Sequence, residues 1–243
     1  MLSNKAVKDI QSLKQRKRRQ ETGLFVVEGP KMVGEVLQAQ PQAVQQLFAT
    51  DAWAAPTQEA EQQVQRIALT HLQRISQWET PQQVLAVIKQ LPQQQPRVDA
   101  GLCIYLDAVQ DPGNLGSVIR IADWFGCSGV VCSNGCAELY NPKVISATMG
   151  SFLRVPVWYD VDDDWLVQQP VPKIAATLDG TPLQQFKATL PAVLLIGNEG
   201  NGLSVEALAQ ATQKITIPKR GGAESLNAAV ATGILVSHLV NGT

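Results

Sequence analysis

Apolar and polar positions along this 243-residue chain fall into two stretches of different rhythm. In the first, Val7, Ile10 and Leu13 recur at three-residue steps among basic residues, which predicts a helix with a narrow apolar stripe. Residues 24–27 form a short β-rich run, after which Glu28, Gly29 and Pro30 turn the chain into a helix reaching residue 37. Residues 44–49, 64–69 and 84–88 read as further strands with helical turns between them. Together these elements predict a small α/β domain over residues 1–91. The rhythm breaks at LPQQQPRVD, where two prolines and a glutamine triplet predict an extended linker at residues 92–99. From residue 100 to 243, strand-like runs (102–107, 129–133, 173–177, 192–196, 214–217) alternate with helix-like ones (115–125, 205–212, 224–240). Strands that are apolar throughout, joined by helix-length crossovers, predict an α/β fold with a parallel sheet covered on both faces. Ligands of such sheets bind in the loops beyond the carboxyl ends of the strands.

Three of those loops carry unusual chemistry. After the strand at 102–107 come Asp111-Pro112-Gly113-Asn114-Leu115-Gly116-Ser117 and then a helix bearing Arg120. Asn114 suits an N-cap, and Arg120 is expected on the second turn, close enough to share an anion with the helix N-terminus. After Ile196 comes Gly197-Asn198-Glu199-Gly200-Asn201-Gly202-Leu203-Ser204, whose bare backbone can line a ligand and whose Ser204 suits a cap. Its GxxGxG spacing fits neither the GxGxxG of dinucleotide sites nor the Lys-Ser/Thr ending of a phosphate-binding loop, which disfavours a nucleotide-dependent oxidoreductase. After Ile217 come Pro218-Lys219-Arg220-Gly221-Gly222-Ala223-Glu224-Ser225-Leu226-Asn227, with three polar side chains clustered where a helix begins. Capping accounts for one of them, or two.

Composition adds exclusions. No apolar run approaches the ~18 residues of a membrane-spanning helix, and the polar, basic start is not that of a signal peptide; a cytoplasmic protein is expected. The net charge of −1 hides an asymmetry: residues 1–20 carry seven basic residues against Asp9 alone, about +6, leaving about −7 for the remainder. Lys14, Arg16, Lys17, Arg18 and Arg19 form the dense part of that basic end, an electrostatic footprint suited to a nucleic-acid backbone. Cys103, Cys127, Cys132 and Cys136 lack a CxxC pair and have no nearby histidine, so reduced thiols are expected and no metal site.

The three junctions, in this order, resemble those of the SpoU (TrmH-type) family of AdoMet-dependent RNA ribose 2′-O-methyltransferases, in the SPOUT superfamily. Asn114, Gly116 and Arg120 match the first family motif; Gly197-Asn198-Glu199-Gly200 with Gly202-Leu203-Ser204 match the second; Ile217-Pro218 and Ser225-Leu226-Asn227 match the third. The segment NPKVISATMGS, residues 141–151, looks like a further family segment with a Ser-x-x-x-Gly pattern. The basic cluster followed by Phe25-Val26-Val27-Glu28-Gly29 resembles the family's ribosomal-protein-L30e-like substrate-binding domain.

The resemblance implies a C-terminal domain with a deep trefoil knot, a homodimer, and S-adenosyl-L-methionine as methyl donor. It implies Arg120, Asn114, Glu199, Ser225 and Asn227 as catalytic residues, and Ile196, Gly197, Asn198, Gly202, Ile217 and Leu226 around the cofactor. Large-subunit (23S) ribosomal RNA is the substrate it implies, with tRNA, or a non-catalytic role in RNA binding and ribosome assembly, as alternatives.

Overall fold

The computed structural model describes residues 2–160 and 164–242. In chain order its elements are α1 (Asn4–Ser12), α2 (Arg16–Thr22), β1 (Leu24–Glu28), α3 (Pro30–Ala39), β2 (Val44–Ala49), α4 (Gln58–Gln63), β3 (Val64–Arg66), α5 (Leu69–Ile75) and β4 (Val84–Lys89). There follow β5 (Leu102–Leu106), α6 (Pro112–Trp124), β6 (Gly129–Ser133), α7 (Pro142–Thr148), β7 (Val157–Asp160), α8 (Trp165–Gln168), β8 (Lys173–Pro182), β9 (Ala192–Ile196), α9 (Val205–Gln210), β10 (Gln213–Thr216) and α10 (Ala228–Asn241). The chain forms two compact units, Met1–Pro92 with Tyr140–Leu153, and Gln93–Leu139 with Arg154–Thr243.

The first unit is built on a four-stranded sheet ordered β1-β4-β2-β3, antiparallel except for the β2–β3 pair. The apolar stripe of α1 is buried as expected: Val7, Ile10 and Leu13 pack with Val26, Phe48, Leu72 and Leu85. Burying such side chains contributes about 1.5–3 kcal/mol each. The expected strand at 64–69 is cut to three residues, because α5 begins at Leu69. α2 stops at Gly23, which takes the left-handed conformation (φ 64°) that an L-residue with a side chain adopts at a cost. Glu28 closes β1 with a buried carboxyl that accepts from Ser76 Oγ (2.5 Å) and Gln77 N (2.6 Å). Burial raises its pKa, and those two bonds offset part of the rise.

The compact units do not follow the chain's linear order. Tyr140–Leu153, which contains α7 and the Ser-x-x-x-Gly pattern, packs with the first unit. The Phe25 ring lies 4.5 Å from Tyr140 and meets Phe152 edge-on at 5.9 Å. Tyr140 Oη donates to the Leu91 carbonyl (3.0 Å) and accepts from the Leu91 N–H (2.9 Å). Gly150 (φ 94°) is a glycine for a second reason: a Cβ there would collide with the Glu35 carboxylate.

The second unit is a parallel six-stranded sheet ordered β10-β8-β9-β5-β6-β7. β5, β6 and β9 are buried along their whole length, as all-apolar strands in a covered parallel sheet must be. β7 was not anticipated; Val-Trp-Tyr-Asp is short and half-buried at its centre, the signature of an edge. β10 lies so close to β8 that a Cβ on Gly180 would stand 2.6 Å from the Ile215 backbone. Because every strand runs the same way, the loops following β5, β9 and β10 all leave from the carboxyl edge of the sheet.

Candidate active site

The three unusual loops meet at that edge through one chain of side chains. α6 is capped by Asp111, whose Oδ1 accepts from Asn114 N at 2.8 Å, with Pro112 in the first turn. The expected cap, Asn114, is therefore inside the helix: Asp111-Pro112 supplies the stronger start signal, since proline at the first helical position loses no hydrogen bond. The Asn114 side chain is left free for other partners. It is nearly buried (6% exposed), its Nδ2 donates to Glu199 Oε1 at 2.5 Å, and its Oδ1 accepts from Asn227 Nδ2 at 2.8 Å. Asn227 Oδ1 caps α10 by accepting from Ala229 N (3.0 Å) and Val230 N (3.2 Å). α10 consequently starts at Ala228, later than the sequence pattern predicts, and Glu224, Ser225 and Leu226 lie in the exposed loop before it.

Each amide in this chain has one orientation that satisfies both neighbours. Asn114 must turn its nitrogen toward the carboxylate and its oxygen toward Asn227. The Glu199 carboxylate is thereby held through one oxygen while the residue as a whole stays exposed.

The loop 197–204 folds back on itself. Asn198 and Gly202 exchange backbone bonds at 2.9 Å in both directions, and Asn198 Oδ1 accepts from Gly200 N (2.8 Å) and Asn201 N (3.2 Å). Gly197 stands against the returning arm; a Cβ there would overlap the Gly202 and Leu203 backbone. Gly202 takes φ 71°. Ser204 caps α9 as expected. Beside this loop is a buried carboxylate that sequence analysis did not single out, Asp107, which follows β5. An acid ending the run LCIYL is the signal that could have found it.

Arg120 is exposed and bonded to no described residue. It falls in the third turn of α6, eight residues past Pro112, or about 12 Å along the axis at 1.5 Å per residue. That distance overturns the expectation that it shares an anion with the helix N-terminus. Between α6 and α10 runs an open groove of about 600 Å³, with Asn114 and Asn227 at one end and Ile121, Val230, Gly233 and Ile234 along it.

The basic end is only partly available. Lys14, Arg16 and Lys17 are exposed, and Arg18 pairs with Glu21 at 2.6 Å. Arg19 is corrected from an RNA contact to a structural residue: it is 2% exposed, and Nη1 donates to the carbonyls of Leu13 and Lys14, both at 2.8 Å. It ties the end of α1 to α2. Among the described residues no cluster of three His, Cys, Asp or Glu could hold a metal. Burial pushes the Cys103 and Cys127 thiols up to about 12.

The residues present fit an adenosyl group. The loop 197–204 offers bare backbone at its glycines, and apolar Leu226 (47% exposed) adjoins Asn227, which the side-chain chain ties to Glu199. Half-buried Ile217 leaves β10 at the same edge.

Residues 101–237 match the model of the SpoU rRNA methylase family, and residues 4–86 match an MRM3-like substrate binding domain. A curated relative from Bacillus subtilis, 23S rRNA (guanosine(2553)-2'-O)-methyltransferase RlmP, is 34% identical over 97% of this chain and 96% of its own. A structure from Porphyromonas gingivalis described as a putative RNA methyltransferase of the TrmH family aligns with TM-score 0.88 and 38% identity over 100% of both chains. The AdoMet-bound rRNA methyltransferase of Sinorhizobium meliloti aligns with TM-score 0.84 and 31% identity, over 98% of this chain and 95% of that one.

Proposed function

This chain belongs to the SpoU rRNA methylase family, and we propose that it transfers a methyl group from AdoMet to a ribose 2′-hydroxyl of large-subunit ribosomal RNA. The observation that carries this reading is the Asn227–Asn114–Glu199 chain, which joins side chains 113 and 85 residues apart at the carboxyl edge of the sheet. RNA as the substrate class is supported by the near full-length likeness to a 23S rRNA enzyme.

When bound, AdoMet supplies a methyl group already activated on a sulfonium. The chain's own residues must place the ribose hydroxyl, ease loss of its proton and keep water out. Arginine is a poor proton acceptor, because its delocalised guanidinium already carries all its protons and has no acceptor. Arg120 is therefore assigned to gripping the RNA phosphate beside the target ribose and stabilising negative charge on the 2′-oxygen. Asn114, Ser225 and Asn227 orient the sugar, and Glu199, held through one oxygen, presents the other to it. Gly197, Asn198, Gly202, Ile196, Ile217 and Leu226 form the AdoMet cradle.

The active unit is a homodimer. Arg120 lies six residues, about 9 Å, beyond Asn114 along α6. A second copy seated on the apolar groove between α6 and α10 would supply the missing half of the site. Family membership implies that the chain threads a trefoil knot around the loops at 197–204 and 217–227. Four free cysteines suit a reducing cytoplasm.

The test supplies tritiated AdoMet with total RNA from cells lacking the enzyme. Label in large-subunit rRNA, at a ribose that resists alkaline cleavage, is the expected result. Label confined to tRNA would overturn the substrate, and AdoMet binding without any label would favour a non-catalytic assembly factor.

Lys14, Arg16 and Lys17 contact phosphates. Replacing all three by Gln should weaken RNA binding and lower the slope of log K against log salt by about 2–3, the loss expected for three phosphate contacts. An unchanged slope in a filter-binding series would return this segment to a solvated helix surface.

A further inference from the structure

Deepening that reading, we infer that Asp107 is a positioning residue for AdoMet, its buried carboxylate acting with Ser133 and Ala108 to hold both ends of the loop 197–204 in the shape that receives the methyl donor. The inference rests on the assignment of that loop to AdoMet.

Asp107 follows β5 directly beside β9, and its N–H donates to the Ile196 carbonyl at 2.8 Å. The residue is 8% exposed. A carboxylate is rarely buried to this degree unless its oxygens are bonded. Here Oδ2 accepts from Ser204 N at 2.7 Å, where the loop ends, and Oδ1 lies 3.4 Å from Ser133 Oγ, whose one proton it shares with the Asn134 carbonyl at 3.3 Å. Ser133 Oγ in turn accepts from Ala108 N at 2.9 Å. The Ala108 carbonyl then accepts from Asn198 Nδ2 at 2.8 Å, where the loop begins. The loop is thus gripped at Asn198 and at Ser204 by two consecutive residues of a neighbouring strand end.

Ala108 pays for this arrangement in backbone conformation. It takes φ 52°, the left-handed region, which costs a residue with a Cβ about 1–2 kcal/mol. The conformation persists because both its N–H and its C=O are engaged. Strain held in place by surrounding bonds at a ligand-binding loop is the pattern of a preorganised site.

The experiment measures KM for AdoMet and for RNA separately, with kcat at saturating AdoMet, in the full-length protein. Asp107→Ala should raise KM for AdoMet about tenfold or more, the scale of a buried donor left without its charged acceptor. KM for RNA should rise by clearly less, since Glu199 lies on this loop but Arg120 and the basic end lie on other elements. Asp107→Asn keeps an acceptor for Ser204 N and should recover most of the loss. Ser133→Ala should shift KM for AdoMet in the same direction by less, and the Asp107→Ala/Ser133→Ala pair should fall short of additive because both act on one loop. Equal rises in both KM values, or no recovery with Asn, would make Asp107 a general fold residue and overturn the inference. If Asp107→Ala fails to fold, a wild-type KM for AdoMet in Ser133→Ala would overturn it equally. If the wild-type protein takes no methyl group from AdoMet, the functional reading itself fails and the inference goes with it; normal wild-type transfer with unaltered Asp107 variants removes the inference alone.

Discussion

Arg120→Ala should reduce methyl transfer by at least about 10²–10³-fold, the scale of losing one transition-state donor, while leaving the dissociation constant for AdoMet within about twofold. The two halves of this expectation come from the geometry. Arg120 is exposed and bonds to no described residue, so its removal breaks nothing that holds α6, and alanine is the better helix former. It lies about 9 Å along the helix from Asn114, away from the loop 197–204 on its own chain. Isothermal titration with AdoMet separates binding from transfer. Arg120→Lys should restore little, because a point charge does not reproduce the two-pronged grip of a guanidinium on a phosphate or alkoxide. Near-normal transfer by the alanine variant would take Arg120 out of the catalytic set.

How much of this could be read before the structure depends on the range over which each feature is encoded. β5, β6 and β9 were legible because a covered parallel sheet demands uninterrupted apolar runs, and each run satisfies that demand locally. The cap of α9 was legible for the same reason: Ser204 and its three-residue reach to Ala207 N are local. The cap of α6 was misassigned because Asp111 and Asn114 are both good caps, and only the tertiary partners of Asn114 decide between them. Arg19 looked like its neighbours Arg16 and Arg18, yet its guanidinium reaches the carbonyls ending α1 across a bend that no periodicity signals. The packing of Tyr140–Leu153 with the first unit depends on Phe25 meeting Tyr140 and Phe152, a contact across more than a hundred residues. The family resemblance named the polar residues; the order in which Asn227, Asn114 and Glu199 hold one another came only from the coordinates. Asp107 escaped both routes, because an acid following an apolar strand reads as an ordinary boundary until the loop it grips is in view.

Gly197→Ala should cost AdoMet binding more than any other single methyl added to the glycine-rich loop. A Cβ at Gly197 would overlap backbone atoms of Gly202 and Leu203, which cannot swing aside as a side-chain terminus can. The returning arm is itself held, by the paired Asn198–Gly202 bonds and by Ser204 N on Asp107. Overpacking of this kind costs about 1–3 kcal/mol and more where nothing can yield, so at the upper end affinity for AdoMet falls by roughly a hundredfold. The other two glycines supply an internal scale. At Gly202 a Cβ meets open space, but φ 71° charges an alanine about 1–2 kcal/mol of backbone strain. At Gly200 the nearest atom is Asn198 Oδ1 at 3.4 Å and no positive φ is required, so Gly200→Ala should bind AdoMet nearly as the wild type does. The expected order of dissociation constants is therefore Gly197→Ala above Gly202→Ala above Gly200→Ala, read by titration of each purified variant alongside its thermal melt. A uniform loss across the three would mean that the loop senses glycine content in general, through flexibility. A wild-type constant for Gly197→Ala would mean that the two arms part easily, and that the loop's closed shape is not what AdoMet recognises.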